Sequence, residues 1–265
     1  MQNLSRRAAM SSALVFAANI PAFAAQDALA AAIASPLRSA ANVRRDRYRH
    51  PEALLRFFGL KPADSVLEIE PGGGYWTEIL APYLKPKGHY TAAVPSGTPE
   101  EQAQQAKFLK KLGANPGAYS AVSTVALTPG QPLGDAGSYD LILSFRNLHD
   151  WLEQGDAQPI LARIFAALKS GGIFGIEDHR ASTAAAQDPK AKSGYVRQDY
   201  AAQLITAAGF RLVGSSEIGA NPRDTKNYPD GVWDLPPVLR QGAKNRSHYL
   251  EIGESDRWTL KFTKP

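Results

Sequence analysis

The sequence predicts an α/β fold in which helices cover both faces of a seven-stranded, mostly parallel sheet. Seven short apolar runs alternate with helix-like segments after residue 50, and this alternation is typical of parallel sheets. The first run, SVLEIE at 65–70, leads directly into the glycine-rich turn PGGG. Five successive strand–helix units occupy the chain, so we expect a single domain over residues 51–265.

The first 24 residues have the pattern of an export signal. Arg6 and Arg7 precede a short apolar stretch, and the tripeptide AFA at 22–24 matches an A-x-A cleavage site. The arginine pair also resembles a twin-arginine signal, and an amphipathic helix of the mature fold is the alternative. We therefore expect a periplasmic protein with no integral membrane segment after cleavage. Residues 25–50 would form an N-terminal arm.

Composition narrows the possible chemistry. The 265 residues include no cysteine, which excludes disulfides, thiolate nucleophiles and cysteine-ligated metal sites. The net charge of +5 falls to +3 when the signal is removed, so no nucleic-acid partner is indicated. The basic segment Arg44–Arg49 could cover a ligand or hold an anionic substrate, and a solvated basic face is the simpler interpretation. Nothing in the sequence indicates the oligomeric state.

Periodicity and capping signals place each element in order. Gly59 ends the first predicted helix, Thr98 is an N-cap and Gly113 is a C-terminal signal. The predicted helices are 51–60, 75–84, 98–113, 159–168 and 195–210. The predicted strands are 65–70, 89–94, 119–127, 138–145, 173–178, 211–218 and 256–264. The irregular segment 221–247 is too long for a simple connection, and it would form either a lid or a packed loop.

One candidate site lies at the end of the first strand. In open parallel sheets, ligands bind beyond the carboxyl ends of the strands. Glycine lets the backbone approach a ligand closely, and the next helix offers free N–H groups. A carboxylate there can anchor the loop or accept a hydrogen bond from a ligand, and a purely structural turn is the alternative. The residues concerned are Glu68, Glu70, Gly72, Gly73 and Gly74.

A second candidate site lies where the fourth and fifth strands end. We expect these strands to be neighbours, which brings His149 close to Asp178 and His179. Either histidine could act as a general base that a carboxylate orients. Two histidines and a carboxylate could instead bind a divalent metal, although we assign no metal ligand.

A purely structural interpretation of the same strand ends stays open. In that interpretation Arg146 and Arg180 pair with Asp150 and Glu177 in a salt-bridge network.

Three segments resemble class I S-adenosylmethionine-dependent methyltransferases. VLEIEPGGGYWTEIL at 66–80 resembles their first motif, and SYDLILSFRNLHDW at 138–151 resembles their fourth-strand motif. LARIFAALKSGGIFGIED at 161–178 resembles the helix, Gly-Gly turn and strand that follow. The HRA tripeptide, NPRD and GESDRWTLKFTKP further resemble an exported bacterial family of predicted methyltransferases, over the chain from about residue 44 to its C-terminus.

The resemblance implies a Rossmann-like domain with S-adenosylmethionine as cofactor. The cofactor would lie over Gly72–Gly74, with Glu68 or Glu70 as polar anchor and Phe145 packed nearby. Methyl transfer to a small-molecule acceptor is then the expected activity. His149 would accept the proton, supported by Asp178 or His179, and Arg146 would belong to the same catalytic group.

Two departures from the family pattern affect the cofactor site. The second strand ends at Val94, where the wider family has an acid that binds the ribose hydroxyls. The loop before the fourth strand also lacks the usual acid near the adenine. The alternative function is therefore a periplasmic protein of this fold without methyl transfer, either a metal- or ligand-binding protein or an accessory subunit.

Overall fold

The structure is a computed structural model that describes residues 22–265, and a single seven-stranded sheet organises it. The strands lie in the order β3-β2-β1-β4-β5-β7-β6. They are β1 (Ser65–Ile69), β2 (His89–Val94), β3 (Val122–Ala126), β4 (Tyr139–Phe145), β5 (Leu168–His179), β6 (Arg211–Ser216) and β7 (Arg257–Thr263).

Five of the strands run parallel. β1 pairs in parallel with β2 and β4, β2 with β3, and β4 with β5, whereas β7 runs antiparallel to both β5 and β6. The predicted mostly parallel, seven-stranded sheet is confirmed. The carboxyl ends of β1, β4 and β5 and the beginning of β7 consequently share one edge of the sheet.

Helices connect the strands as the alternating pattern predicts. They are α1 (Ala22–Ile33), α2 (Ala40–Val43), α3 (Asp46–Arg49), α4 (Pro51–Phe58), α5 (Thr77–Leu84), α6 (Pro99–Ala114), α7 (Pro116–Tyr119), α8 (Leu148–Gln154), α9 (Ala157–Ala167), α10 (Gln198–Ala207) and α11 (Arg246–Ile252). None of the helices within residues 22–265 is long and apolar enough to cross a membrane.

The sheet separates two apolar cores, because successive side chains of a strand point to opposite faces. Leu67 and Ile69 of β1 belong to one core, and Val66 belongs to the other. Phe174 of β5 lies in the first core and Leu143 of β4 in the second. All five of these side chains are fully buried. Both faces of the central strands are therefore covered, as parallel sheets require.

Local capping signals set two helix boundaries where the sequence predicted them. Thr98 accepts a hydrogen bond from the backbone N–H of Glu101, whose side chain accepts one from the backbone of Thr98, so α6 begins with a capping box. Gly59 ends α4 with a φ of 85°, a conformation that favours glycine. The predicted cap at Thr98 and the predicted helix end at Gly59 are confirmed. The predicted C-terminal signal at Gly113 is wrong, because Gly113 lacks a positive φ and α6 continues through it to Ala114, with Asn115 as the C-cap.

The segment after β4 was predicted incorrectly. The fourth strand ends at Phe145, as predicted, but no helix was predicted where α8 covers Leu148–Gln154. The chain turns at Arg146, whose φ is 64°. A positive φ is uncommon for a residue other than glycine, so no residue type in this segment predicts the turn. His149 therefore lies in the first turn of a helix.

Two further boundaries differ from the prediction. β5 begins at Leu168 rather than at residue 173. Tyr139 of β4 pairs with Leu168 and Leu141 pairs with Ile173, so residues 169–172 form a bulge between these two pairs. The irregular segment 221–247 contains one 3₁₀ turn, Gly231–Asp234, and the beginning of α11. These differences leave the order of the strands unchanged.

The N-terminal arm packs against the domain. Leu29 of α1 is buried in the second core, and Arg38 donates to both carboxylate oxygens of Asp46 at 2.6 and 2.7 Å. Most of the predicted export signal, residues 1–21, lies outside the described residues. That signal and the periplasmic location stay predictions.

Candidate active site

A cavity of about 280 Å³ opens at the carboxyl edge of the sheet. The turn after β1, the segment from β4 into α8, the end of β5 and the chain before β7 all contribute to its wall. The irregular segment covers it with residues 232–238, and the arm adds Arg45 and Arg49. Ligand sites of α/β proteins are expected at this edge of the sheet.

His149 and Asp178 form a buried hydrogen-bonded pair in this wall. The Nδ1 atom of His149 lies 2.9 Å from Oδ1 of Asp178, and its backbone N–H donates to Oδ2 at 3.0 Å. The backbone N–H of His179 also donates to Asp178, at 2.7 Å. Asp178 is fully buried, so these N–H groups hold its carboxylate in place. With Nδ1–H directed to Asp178, the lone pair of neutral His149 is on Nε2.

The surroundings shift the pKa values of the two histidines in opposite directions. Burial lowers the pKa of His149, but Asp178 and Asp150 together outweigh it and raise that pKa above its ordinary value. Burial, reinforced by the charges of His149 and Arg146, holds the pKa of His179 well below its ordinary value. His179 is therefore neutral, and its Nδ1 pairs with the hydroxyl of Ser255. The strand ends converge as predicted. They place His149, a base oriented by Asp178, beside the neutral His179.

His149, Asp178 and His179 also form the one group among the described residues with the spacing of a metal site. One potential ligand atom of each lies within 4.8 Å of the others. The ring centroids of the two histidines are 5.1 Å apart. The metal interpretation from the sequence therefore retains a geometric basis.

The glycine turn leaves open space beside its backbone. Gly72 has a φ of 54°, and a Cβ atom placed on Gly72 or Gly73 would meet nothing within 4 Å. Both residues line the cavity. Gly74 does not line it, because Lys111 of α6 lies over this glycine and donates to the carbonyl of Gly73 at 2.7 Å. A ligand can therefore approach the turn at Gly72 and Gly73.

Two carboxyl groups flank this turn, and both resist ionisation. Burial raises the pKa of Glu68 to about 7, against the hydrogen bonds that its Oε2 accepts from Tyr90 and Thr77. Burial also raises the pKa of Glu70 to about 7, although its Oε1 accepts the indole N–H of Trp151 at 2.7 Å. Glu68 and Glu70 both line the cavity, as the sequence predicted for polar anchors.

Aromatic rings form one side of the cavity. Phe145 stacks on Trp76 with ring centroids 4.1 Å apart and an interplanar angle of 20°. Tyr75 packs edge-on against Trp76 at 4.9 Å. Trp233 of the irregular segment lies 6.1 Å from the ring of His149. Phe145 thus lines the cavity as predicted, and the irregular segment completes the wall as a packed loop.

Val94 leaves the end of β2 without a carboxylate. This side chain is 3% exposed and belongs to the second core. A second cavity of about 400 Å³ opens beyond β2 and β3, and Glu70 and Glu101 both line it. The carboxylate of Glu101 accepts the backbone N–H of Gly97 at 2.6 Å. Acidic groups therefore reach this region from the turn after β1 and from α6, rather than from β2.

Arg45 and Arg49, in the basic segment of the arm, pair with Glu254 and do not belong to a solvated face. Arg49 is 1% exposed and its Nε lies 3.2 Å from Glu254, which also pairs with Arg45 at 2.6 Å. Arg45 and Arg49 are four residues apart, so one face of a helical turn can carry both. That spacing was the only sequence signal that the two arginines could act together. Their partner Glu254 is about two hundred residues away in the sequence, so the ion pairs could not be predicted.

Arg146 lines the cavity, and the predicted salt-bridge network around it is wrong. Within the described chain, Arg146 has no ion pair and its buried Nε has no hydrogen-bond partner. Arg180 pairs with Glu217 at 2.5 Å and with Asp256 at 3.5 Å, rather than with Asp150 or Glu177. Arg146 is therefore a cation inside the cavity wall with no counter-ion of its own.

Solved structures with a similar fold include methyltransferases and a cyclase. A methyltransferase from Aquifex aeolicus, described as S-adenosylmethionine-dependent, is 19% identical over 66% of this chain and 87% of its own (TM-score 0.52). The [4+2]-cyclase SpnF is 15% identical over 92% of this chain and 93% of its own (TM-score 0.58). The glycopeptide N-methyltransferase MtfA, solved with S-adenosylhomocysteine, is 15% identical over 82% of this chain and 90% of its own (TM-score 0.53).

These similarities establish the class I methyltransferase fold. A comparison of the sequence with protein-family models found no match, and a comparison with curated proteins found none. The cyclase shows that proteins of this fold are not restricted to one reaction, so function has to be argued from the site.

Proposed function

We propose that this protein is an S-adenosylmethionine-dependent methyltransferase that acts on a small-molecule acceptor in the periplasm. The observation that carries the proposal is the placement of the His149–Asp178 pair in the same cavity as the open glycine turn. The volume of that cavity and its cover by residues 232–238 suit a small molecule. The pattern of residues 1–24 supports the location.

The residues present fit the cofactor at the turn. The space beside Gly72 and Gly73 would be filled by any Cβ atom there, which is what close approach of a ligand to the backbone requires. Glu68 and Glu70 supply carboxyl groups for polar contacts, and Phe145 supplies an apolar surface. The missing acid at Val94 is offset by Glu70 and Glu101, which border the second cavity. When bound, the cofactor supplies a methyl group on a positively charged sulfur.

His149 then acts on the acceptor. Its Nε2 takes the proton from an acceptor hydroxyl or amine, while Asp178 stabilises the imidazolium that results. Because Asp178 is held by two backbone N–H groups as well as by the ring, it fixes the orientation of His149. The cavity walls align the acceptor, and alignment is the larger contribution to rate in a simple displacement. His179 stays neutral and Ser255 orients it.

A metal-dependent protein without methyl transfer is the second candidate. The spacing of His149, Asp178 and His179 favours it. Two features of the site oppose it. Asp178 already accepts three N–H groups, and Arg146 and Arg49 raise the cost of placing a divalent cation nearby.

Calorimetry separates the two candidates. The purified protein is titrated with S-adenosylmethionine and with S-adenosylhomocysteine, and its metal content is measured on the same sample. We expect saturable binding of both ligands and a metal content far below one equivalent. The absence of binding at millimolar ligand would refute the proposed activity. One equivalent of zinc or iron, lost in the His179→Ala variant, would establish the second candidate instead.

A further inference from the structure

Three arginines, Arg45, Arg49 and Arg146, line one end of the cavity, and Arg257 lies behind them in contact with Glu254. We call these four residues the arginine cluster. Glu254 joins them, because its carboxylate lies 2.6 Å from Arg45, 3.2 Å from Arg49 and 3.5 Å from Arg257. Glu254 is 4% exposed, and the four arginines of the cluster hold its pKa at about 2 against the effect of burial. The carboxylate is therefore ionised throughout the physiological range.

The cluster carries more positive than negative charge. Glu177 is its only other ion-pair partner within residues 22–265, and it pairs with Arg257 at 3.3 Å. Four guanidiniums thus face two carboxylates. Buried nitrogen atoms without any hydrogen-bond partner remain in all four arginines: Nη2 of Arg45, Nη2 of Arg49, Nε of Arg146 and Nε of Arg257.

An uncompensated buried cation is costly, and so is a buried donor without an acceptor. A buried polar group without a partner calls for an explanation, and an ion or ligand that supplies the missing charge is one such explanation. A planar guanidinium matches the two oxygens of a carboxylate or a phosphate, and it stays charged on burial. The excess charge of the cluster therefore points to an anionic ligand.

The aromatic residues that line the rest of the cavity indicate which kind of molecule carries the anionic group. Tyr75, Trp76, Phe145 and Trp233 present aromatic surface to the cavity. Aromatic side chains pack well against flat apolar groups. His149 lies three residues beyond Arg146, in the first turn of α8. One cavity thus combines an anion site, a flat apolar wall and a base.

We infer that the arginine cluster binds the acidic group, a carboxylate or phosphate, of an aromatic acceptor whose hydroxyl or amine is methylated beside His149. This inference rests on the proposed function. Arg146 follows β4 and Arg257 begins β7, both next to β5, so the anion lies on the same side of the sheet as His149. The glycine turn follows β1 instead. Arg49 also lies 4.3 Å from the ring of Tyr75, which directly follows the glycine turn, so the carboxylate of the cofactor is the competing anion that the variants below must separate from an acceptor.

Binding of simple probes tests the inference. The full-length protein is titrated with 4-hydroxybenzoate, phenyl phosphate and the neutral 4-hydroxybenzyl alcohol, with and without saturating S-adenosylhomocysteine. We expect at least one of the two anions to bind about tenfold more tightly than the alcohol, the gain expected of one charge-assisted hydrogen bond. The stronger of the two distinguishes a carboxylate from a phosphate acceptor. Equal affinity of both anions and the alcohol overturns the inference.

Two variants identify the cluster as the site. Arg146→Gln should abolish the preference for the anion and leave the affinity for S-adenosylhomocysteine unchanged. Arg44→Gln, an exposed residue of the same basic segment, should change neither affinity. If Arg146→Gln weakens S-adenosylhomocysteine binding as strongly as anion binding, the cluster holds the cofactor and the inference is wrong. If S-adenosylhomocysteine does not bind at all while the anion preference persists, the proposed function fails and the anion site stands.

Discussion

The imidazole Nδ1 of His149 lies 2.9 Å from the buried carboxylate of Asp178, which also accepts the backbone N–H of the same histidine at 3.0 Å. A single side chain thus fixes both the helix turn that carries His149 and the orientation of its ring. Because β5 supplies Asp178 and α8 supplies His149, the pair depends on the neighbouring positions of β4 and β5.

Removing the charge of Asp178 should lower the pKa of His149. In Asp178→Asn the imidazolium loses its closest anion, so burial is opposed only by Asp150. We expect the pKa to fall by more than about one unit, which corresponds to about 1.4 kcal/mol. NMR titration of the His149 ring measures this pKa directly and requires no knowledge of the substrate.

Asp150→Asn is the matched control for this experiment. Asp150 Oδ1 lies 3.5 Å from Nε2 of His149, and its side chain is 42% exposed. A solvent-screened carboxylate has a weaker effect, so the shift should be smaller than in Asp178→Asn. Equal shifts in the two variants would show that Asp178 does not hold the proton of His149.

Gly73→Ala should weaken cofactor binding without destabilising the fold. The new methyl group meets no protein atom within 4 Å, and the backbone at this position does not have the positive φ of Gly72. The methyl would instead occupy the space beside the turn. We expect S-adenosylhomocysteine affinity to fall about tenfold or more, measured by calorimetry, while the unfolding temperature stays within a few degrees of wild type.

Gly113→Ala controls for the substitution itself. Gly113 lies in α6, and a Cβ atom there also meets nothing within 4 Å. Alanine favours a helix by about 1 kcal/mol over glycine, so this variant should be slightly stabilised and bind the cofactor normally. If Gly73→Ala also binds normally, the cofactor does not approach this turn.

The seven strands and most of the helices were predictable from the sequence because they rest on local signals. Apolar runs, glycine turns and the Thr98 cap are all visible within a few residues. The turn at Arg146 was not predictable, because a non-glycine residue with a φ of 64° has no local signature. The sheet neighbours then place Asp178 against His149, so the pair was expected before its geometry was known.

For the basic segment Arg44–Arg49, the sequence favoured a solvated face over a ligand-binding role, and the reason is different. A run of arginines is usually solvated, and only a tertiary contact reveals otherwise. Arg49 is buried because Glu254, at the opposite end of the chain, lies 3.2 Å from it. No window of local sequence contains both residues. Contacts between residues far apart in the sequence decide which charged residues enter a site. Hydrophobic periodicity predicts only which helices and strands form.

Glu68 should make stability fall as the pH rises from about 4.5 to about 7. Its pKa is about 7 in the folded chain and 4.5 as the reference for the unfolded chain, so the folded state binds more protons in this window. Glu68→Gln should remove that part of the slope, a difference of at most about 3 kcal/mol at pH 8. Urea denaturation at several pH values measures it, and identical slopes for the two proteins would contradict the raised pKa.

Glu254→Gln should destabilise the protein strongly. The substitution leaves the buried guanidinium of Arg49 and the neighbouring arginines without their shared anion, and breaking a buried ion pair costs about 3–5 kcal/mol. In wild type the pKa of Glu254 is about 2 when folded, against 4.5 unfolded, so its contribution is complete above pH 4.5 and is lost as the pH falls through 2. The variant should lack this loss of stability at low pH.

Glu217→Gln is the control. Glu217 pairs with Arg180 at 2.5 Å but is 66% exposed, so this substitution should lower the free energy of unfolding by less than about 1 kcal/mol. Equal costs for both variants, measured by urea denaturation at neutral pH, would mean that Glu254 does not stabilise the arginine cluster.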